Sequence, residues 1–212
     1  MKRYPQSKRN PDERALEKTE EDREIARQFG KEFFDGERRQ GYGGYNYHPR
    51  FWTEVVQDMT GHYQLTEKSS LLDVGCGKGF MLYDFKRVLP EMRIRGIDIS
   101  QYSITNGKEE VREFLSVGDA KDLVEFKDKE FDLVTSITTI HNLPLEECKQ
   151  AIKEIQRVGR NAFITVDAWR NEEERKRMFA WNLTAKTFMH VNDWKKLFKE
   201  CGYTGDYYWF IP

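Results

Sequence analysis

Short apolar runs alternate with longer amphipathic stretches from about residue 65 to the end of this 212-residue sequence. Runs of a few residues rich in Leu, Ile, Val and Phe predict buried β-strands, and apolar positions at helical spacing predict the helices between them. The predicted strands are 71–74, 94–98, 116–120, 131–137 and 162–166, and the predicted helices are 80–89, 102–114 and 145–158. This alternation is typical of a parallel sheet covered on both faces. We therefore predict an α/β fold, a doubly wound and mostly parallel sheet of six or seven strands.

The first 64 residues break this pattern and are predicted to form a charged helical arm followed by a lid, leaving the main domain at 65–212. Pro5 and Pro11 favour an irregular start. From residue 12 onward a thin apolar stripe predicts a helix. The stripe consists of Leu16, Ile25, Phe29 and Phe33. We interpret this helix as solvated and loosely attached to the domain; the alternative is a mobile arm that closes over substrate.

Charge and cysteine content narrow the class of protein. The sequence has 35 basic and 36 acidic residues, so its net charge is −1 and no global field favours nucleic acid or an anionic membrane. No apolar run approaches the roughly twenty residues of a membrane span, and the start lacks the apolar core of a signal peptide. Three cysteines without CxxC spacing predict neither a disulfide framework nor a zinc site. A reducing cytoplasm is the compartment we expect.

The most informative stretch is residues 71–79, an apolar run that leads into a turn with three alternating glycines. Glycine accepts positive φ and lets a ligand approach the backbone. The helix that follows would direct free N–H groups at such a ligand. The nicotinamide-cofactor fingerprint needs a glycine where Phe80 stands, so that match fails. With Asp73 two residues before Gly75, the loop instead resembles the acidic-x-G-x-G-x-G motif of the class I S-adenosylmethionine (SAM)-dependent methyltransferases.

Further motifs of this family follow in order, and the resemblance covers roughly residues 65–170. A second strand ends in Asp98, about twenty residues past the last glycine, where an acid reaches ribose hydroxyls. A third strand leads to Asp119, at the position of the acid that contacts adenine, and a fourth ends near Ser136. The resemblance implies SAM as cofactor and S-adenosylhomocysteine (SAH) as product. The residues it implies for cofactor binding are Asp73, Gly75, Cys76, Gly77, Gly79, Asp98, Ile99, Asp119, Ala120 and Ser136.

Aromatic side chains crowd the glycine-rich stretch 41–52, which precedes the first strand. Such side chains are costly to leave in water, so they cover something or are covered. In class I methyltransferases this segment often lies across the mouth of the active site, and we interpret it as a lid that lines the acceptor pocket. The alternative is a loop that packs on the domain. The lid residues expected to contact an acceptor are Tyr42, Tyr45, Tyr47 and His48.

The segment after the fourth strand, residues 137–144, faces the sulfonium and the acceptor in this family. It lacks the Asn/Asp-Pro-Pro-aromatic motif of the adenine and glutamine N-methyltransferases, which argues against base amines and amides as acceptors. His141 lies here, and an imidazole near neutral pKa can take a proton from a hydroxyl or ammonium group. The alternative is that His141 orients the loop or touches the methionine part of SAM.

The fifth strand ends at Asp167, Trp169 and Arg170, which we expect at the crevice and in contact with the acceptor. Arg170 either holds a phosphate or carboxylate of the acceptor through paired N–H groups or forms a salt bridge with the acidic run 172–174. A catechol-type magnesium site would need acids at the ends of the fourth and fifth strands. Only Asp167 fits, so we predict no metal.

The end of the chain departs from the usual family pattern. Residues 171–191 resemble an insertion beside the pocket, and a helix at 194–200 is expected to be capped by Asn192 and Asp193. The usual fold ends in an antiparallel pair of strands. Because 203–211 predicts the last strand here, a seventh is either missing or supplied by 183–191.

We expect methyl transfer to a hydroxyl, or second to an amine, of a small polar acceptor such as a sugar or a nucleotide-linked metabolite. The Gly-Tyr stretch and the Arg-Asn-Glu-Glu-Glu segment resemble small methyltransferases of bacterial surface-polysaccharide pathways. One alternative is an RNA or protein methyltransferase, which would need a basic stripe around the crevice. Another is a SAM-binding regulatory protein without turnover. The sequence leaves the oligomeric state open.

Overall fold

A computed structural model of the protein describes residues 18–212. The predicted irregular start with Pro5 and Pro11, and the stripe residue Leu16, lie outside the described residues. The strands are β1 (Ser70–Val74), β2 (Arg93–Asp98), β3 (Leu115–Val117), β4 (Phe131–Ile137), β5 (Gly159–Trp169), β6 (Met189–His190) and β7 (Asp206–Phe210). They form one sheet in the order β3-β2-β1-β4-β5, and both β6 and β7 pair with β5.

Every strand pairing within residues 18–212 is parallel, which confirms the predicted doubly wound sheet. The antiparallel pair of the usual fold does not occur in this part of the chain. The segment 183–191 supplies only the two-residue β6, which pairs with Ala168 and Trp169. β7 pairs directly with residues 163–167 of β5. A helix precedes β7, and a helical crossover returns a strand in the parallel direction.

The helices cover both faces of the sheet. They are α1 (Glu20–Ala26), α2 (Lys31–Asp35), α3 (Pro49–His62), α4 (Phe80–Val88), α5 (Gln101–Thr105), α6 (Leu145–Val158), α7 (Glu172–Trp181) and α8 (Val191–Glu200), with 3₁₀ turns at Arg38–Gln40, Glu109–Phe114 and Ile140–Asn142. One apolar core includes Phe85 of α4 and Val56 of α3. The other includes Ile152 of α6 and Trp194 of α8. Because both faces are covered, β1 is buried along its whole length.

Two predicted helices differ from the observed ones. The expected helix 102–114 is divided, because α5 ends at Thr105 and a 3₁₀ turn begins at Glu109. Gly107 lies between them, where a Cβ would come within 2.7 Å of the Leu115 side chain. The last helix begins at Val191, and its cap is the His190 side chain, which accepts the Asn192 N–H at 3.1 Å. The predicted cap at Asn192 and Asp193 was therefore wrong.

The arm also differs from the prediction. α1 ends at Ala26, Phe29 takes a φ of 50°, and α2 begins only at Lys31, so the apolar stripe does not run along one helix. The arm is firmly attached. Lys18 Nζ donates to the Trp181 carbonyl at 2.7 Å, and the Arg23 guanidinium donates to the Asn182 carbonyl. The interpretation of a loosely attached helix was wrong because these bonds tie the arm to the end of α7.

Candidate active site

The glycine loop between β1 and α4 lies at the carboxyl edge of the sheet. Gly75 takes a φ of +82°, and a Cβ on it would lie 2.1 Å from Thr139 Oγ1. The N–H groups of Gly75 and Cys76 both donate to the Ile97 carbonyl, at 2.7 and 3.0 Å. Glycine is needed at this position because the loop turns sharply against Thr139 while remaining bonded to β2.

The middle of the loop is bonded to the acid at the end of β2. Gly77 takes a φ of +55°, and its N–H donates to one carboxylate oxygen of Asp98 at 2.8 Å. The N–H of Ser100 donates to the other oxygen at 2.9 Å. Each carboxylate oxygen has a second lone pair, so Asp98 is held in place and can still accept hydrogen bonds from a ligand.

The acid that precedes the loop is more deeply buried. Asp73 is 4% exposed, and its carboxylate accepts the Thr135 hydroxyl at 2.8 Å. Burial raises the pKa of Asp73 to about 7 against the opposing effect of that hydrogen bond, and the neighbouring Asp98 adds to the rise. Removing a carboxylate from water disfavours its charged form. Asp73 is therefore partly protonated near neutral pH.

The crevice has two halves. The open half consists of Ile99, Asp119 and Ala120, beyond the ends of β2 and β3. The Ile99 side chain is 56% exposed, and the Asp119 carboxylate accepts the Lys121 N–H at 3.1 Å. The covered half consists of Asp73 and the glycine loop, where side chains of Tyr45 and Phe34 lie against Gly77.

Ser136 lies at the end of β4, is fully buried, and its hydroxyl makes no hydrogen bond within residues 18–212. A buried hydroxyl without a partner calls for an explanation, and a polar ligand group is one of the few available. The sequence placed Ser136 among the cofactor-binding residues.

His141 is fixed by its hydrogen bonds. Its Nδ1 accepts the backbone N–H of Asp167 at 3.0 Å, and its carbonyl accepts the N–H groups of Lys186 and Thr187. Burial lowers the pKa of His141, and the nearby Asp167 carboxylate opposes that shift. The ring is therefore neutral near pH 7 with its proton on Nε2, because Nδ1 is the acceptor. In this tautomer His141 has no free lone pair with which to take a proton.

The predicted acceptor residues of β5 have partners within the protein. Arg170 Nε donates to both carboxylate oxygens of Glu174, at 3.0 and 3.1 Å, so the salt-bridge alternative is confirmed. Trp169 packs against Phe179 and Phe188, with ring centroids 5.9 and 5.8 Å apart. The Asp167 carbonyl accepts the indole N–H of Trp194 at 2.9 Å.

The predicted lid residues separate into two groups. Tyr42 and Tyr45 pack on one another with ring centroids 4.3 Å apart, above the glycine loop. The Tyr47 hydroxyl donates to Asp84 of α4 at 2.9 Å, and His48 caps α3. Tyr47 and His48 therefore lie apart from the crevice, and this arrangement does not support their predicted contact with an acceptor.

The sequence analysis did not identify Lys78 and Asp35 as residues of the covered half. Lys78 Nζ donates to Asp35 of α2 at 2.6 Å and to the Tyr45 carbonyl at 3.1 Å. Lys78 stands inside the recognised motif, but nothing in the sequence indicates a partner 43 positions away.

Within residues 18–212, no three side chains of the metal-binding types come together. Among the helices described in residues 18–212, none is long and apolar enough to cross a bilayer.

The residues at the crevice fit SAM. Asp98 offers acceptors for ribose hydroxyls, and Ile99 offers an exposed apolar surface to an adenine ring. Gly77 has no Cβ to obstruct a ligand at the backbone, although the Tyr45 ring lies beside it, 3.2 Å from where a Cβ would stand. The buried hydroxyl of Ser136 remains available for a hydrogen bond.

Solved structures share this architecture. YcgJ from Bacillus subtilis is 16% identical, with a TM-score of 0.57 over 70% of this chain and 67% of that one. A putative sarcosine dimethylglycine methyltransferase from Galdieria sulphuraria is 15% identical, with a TM-score of 0.55 over 71% and 58%. The [4+2]-cyclase SpnF is 21% identical, with a TM-score of 0.57 over 71% and 56%. At such identities the likeness shows the fold alone, and the cyclase illustrates that this fold serves more than one chemistry.

A family model also matches part of the sequence. Residues 72–162 match the family model described as a methyltransferase domain, and this range contains the glycine loop, Asp98, Asp119 and His141. A search of curated proteins finds no match. With its motifs and its parallel sheet in agreement, residues 72–162 form a methyltransferase domain of the class I fold, for which SAM is the cofactor.

Proposed function

We propose that this enzyme transfers the methyl group of SAM to a hydroxyl, or second to an amine, of a small polar acceptor such as a sugar or a nucleotide-linked metabolite, in the cytoplasm. SAM supplies a methyl group already activated by its sulfonium. The S–CH₃ bond breaks as the O–CH₃ or N–CH₃ bond forms, its electron pair stays on sulfur, and the acceptor proton leaves to solvent.

The observation that favours a small acceptor over RNA is the charge around the crevice. The carboxylates of Asp73, Asp98 and Asp167 lie at the ends of β1, β2 and β5. Three cations beside the crevice are paired with carboxylates: Lys78 with Asp35, Arg170 with Glu174, and Lys121 with Asp119 and Glu147. RNA binding depends on cations that neutralise phosphates. A crevice of this charge disfavours a polyanion such as RNA far more than a small acceptor, which brings few or no phosphates.

In the proposed mechanism, most of the rate enhancement comes from orienting the two reactants. Holding a nucleophile in line with an activated methyl group lowers the barrier by limiting the motions of both reactants. In this proposal Asp98 fixes the ribose and Ile99 the adenine, and the loop after β4 positions the acceptor. His141 holds that loop against β5 through the bond to Asp167, and its Nε2–H serves as a donor.

A substitution series distinguishes positioning by His141 from acid–base catalysis. His141→Asn keeps an acceptor near the place of Nδ1, whereas His141→Ala removes it. We expect the kcat of H141N to stay within about threefold of wild type, with the same decrease in rate at acid pH. The kcat of H141A should fall about tenfold or more. Equal loss in both variants, together with loss of the decrease at acid pH, would assign the role of base to His141.

The acceptor is tested by SAH release. Purified enzyme is incubated with SAM and separate panels of sugars, nucleotide sugars, small amines and short RNAs, and SAH is quantified by mass spectrometry. We expect SAH above background with a hydroxyl-bearing small molecule and none with RNA. Turnover with RNA alone would overturn the proposed acceptor class.

A further inference from the structure

We propose that residues 29–45 form a gate that occupies part of the cofactor crevice, held shut by the ion pair of Asp35 and Lys78, and that this gate must open before SAM binds. The inference rests on the cofactor site proposed above, and it concerns how that site becomes accessible.

Tyr45 occupies the space that the glycine loop leaves for a ligand. A Cβ on Gly77 would meet Tyr45 Cε1 at 3.2 Å and Phe34 Cε1 at 3.7 Å. The other face of the Tyr45 ring stacks on Phe80 at a centroid distance of 4.9 Å. The ligand-facing side of the loop is therefore in van der Waals contact with this chain's own aromatic rings.

The hydroxyl oxygen of Tyr45 also lies against the glycine loop, 3.5 Å from where a Cβ on Gly77 would stand. Burial raises the pKa of Tyr45, and the neighbouring Tyr42, Asp73 and Asp98 raise it further. Asp73 and Asp98 precede and follow the loop that is expected to hold the methionine and ribose parts of SAM. Of two surface cavities of the described residues, one borders Tyr45 and Lys78 of the gate, but neither is lined by Asp73, Asp98 or Ile99. The gate thus stands where the cofactor would lie.

Asp35 connects the gate to the loop through several hydrogen bonds. Its carboxylate accepts the ammonium group of Lys78 at 2.6 Å, the Tyr102 hydroxyl at 2.7 Å and the Tyr45 N–H at 2.9 Å. The Lys78 side chain is only 9% exposed. An ion pair so far from water is screened little by salt, and it fixes Tyr45 directly because Lys78 also donates to the Tyr45 carbonyl.

The other end of the gate is bonded to Ser100, at the start of α5. The Ser100 hydroxyl donates to the Phe29 carbonyl at 2.5 Å, immediately after the strand that carries Asp98. Phe29 has a positive φ, and Gly30 follows it. The gate is thus attached at both ends to the loops of the cofactor site by polar contacts, and between them by the stacking of Tyr45 on Phe80 and of Phe34 on Tyr102. None of its residues belongs to the two main apolar clusters of the described residues, so the gate can move without disturbing them.

A gate that competes with the cofactor reduces apparent affinity by the fraction of molecules that are open. Weakening the gate then raises the association rate constant and lowers Kd by the same factor, with the dissociation rate constant unchanged. A lid that clasps bound cofactor behaves in the opposite way, because weakening it raises the dissociation rate constant and Kd.

The experiment is surface plasmon resonance with SAH on the wild-type enzyme, Asp35→Asn and the control Glu37→Gln. Glu37 is an exposed carboxylate of the same segment, and within residues 18–212 its ion-pair partner is the exposed Arg39. We expect D35N to raise the association rate constant and lower Kd by threefold or more, and E37Q to leave both unchanged. Tyr45→Ala, which removes the ring and keeps the ion pair, is the second variant if D35N does not fold, and we expect the same direction.

Each other outcome has a definite meaning. An unchanged association rate constant in D35N and Y45A would overturn the gate. A raised dissociation rate constant with a higher Kd would overturn it in favour of a clasp over bound cofactor. Failure of the wild type, D35N and Y45A alike to bind SAH would overturn the cofactor site together with the gate, and so distinguishes the two proposals.

Discussion

The two halves of the crevice belong to the same sheet edge but differ in what covers them. In the open half Ile99 is 56% exposed. In the covered half Asp73 is 4% exposed, and Tyr45 and Phe34 stand against Gly77. The open half is built from residues that the strands place there directly. The covered half is completed by a segment some thirty residues earlier in the chain, so its state depends on tertiary contacts that can open.

Gly75→Ala should produce the largest effect, because it disrupts the covered half at its tightest point. The new Cβ would lie 2.1 Å from Thr139, and the positive φ adds about 1–2 kcal/mol of strain. We expect a loss of about 3 kcal/mol or more in the free energy of unfolding, measured by urea titration.

A matched control is Gly202→Ala. Gly202 has a similar φ of +68°, but a Cβ there would meet nothing within 4 Å. Only the conformational cost applies, about 1 kcal/mol. Equal losses in the two variants would show that the contact with Thr139 has no energetic importance.

Asp73→Asn tests the burial of the acid in the covered half. Because the folded-state pKa of Asp73 is raised to about 7, the folded protein holds a proton that the unfolded chain has lost above about pH 4. Stability from this group is therefore lost as pH rises from about 4 to 7, by up to about 1.4 kcal/mol per unit. The measurement is urea unfolding of both proteins at pH 5, 6 and 7, where D73N should show the shallower decline. Parallel pH profiles would contradict the raised pKa.

Ile99→Ser should produce the smallest effect, and it tests the open half. Losing the apolar surface under adenine should weaken SAH binding by about 1 kcal/mol, or roughly fivefold. The loss should appear in the dissociation rate constant, in contrast to the gate variants. Val124→Ser, at an 82% exposed apolar position outside the crevice, is the control and should leave Kd unchanged. A change in association rate in I99S would erase the distinction between the two halves.

The sheet was predictable because its strands are buried on both faces and therefore appear as continuous apolar runs. Asp73, Asp98 and the glycines were located for the same reason, since each stands a fixed step from the end of a strand. The end of the sheet was less predictable, because the two-residue β6 has no pattern of its own.

The contacts of single side chains could not be predicted. The state of His141 depends on a backbone N–H of Asp167, 26 positions away, and the position of Tyr45 depends on the pairing of Asp35 with Lys78. Neither partnership leaves a periodic pattern. Arg170 is the exception, because its partner Glu174 lies one helical turn away, and the acidic run beside it was visible in the sequence.

The most direct test of the account is calorimetric titration of the wild-type enzyme and Asp98→Ala with SAM. Asp98 lies where the two halves meet and is held by the N–H groups of Gly77 and Ser100. We expect micromolar binding by the wild type and a loss of at least about tenfold in the variant, or about 1.4 kcal/mol. Equal affinity of the two proteins for SAM would contradict it, because the cofactor would then bind somewhere other than this crevice.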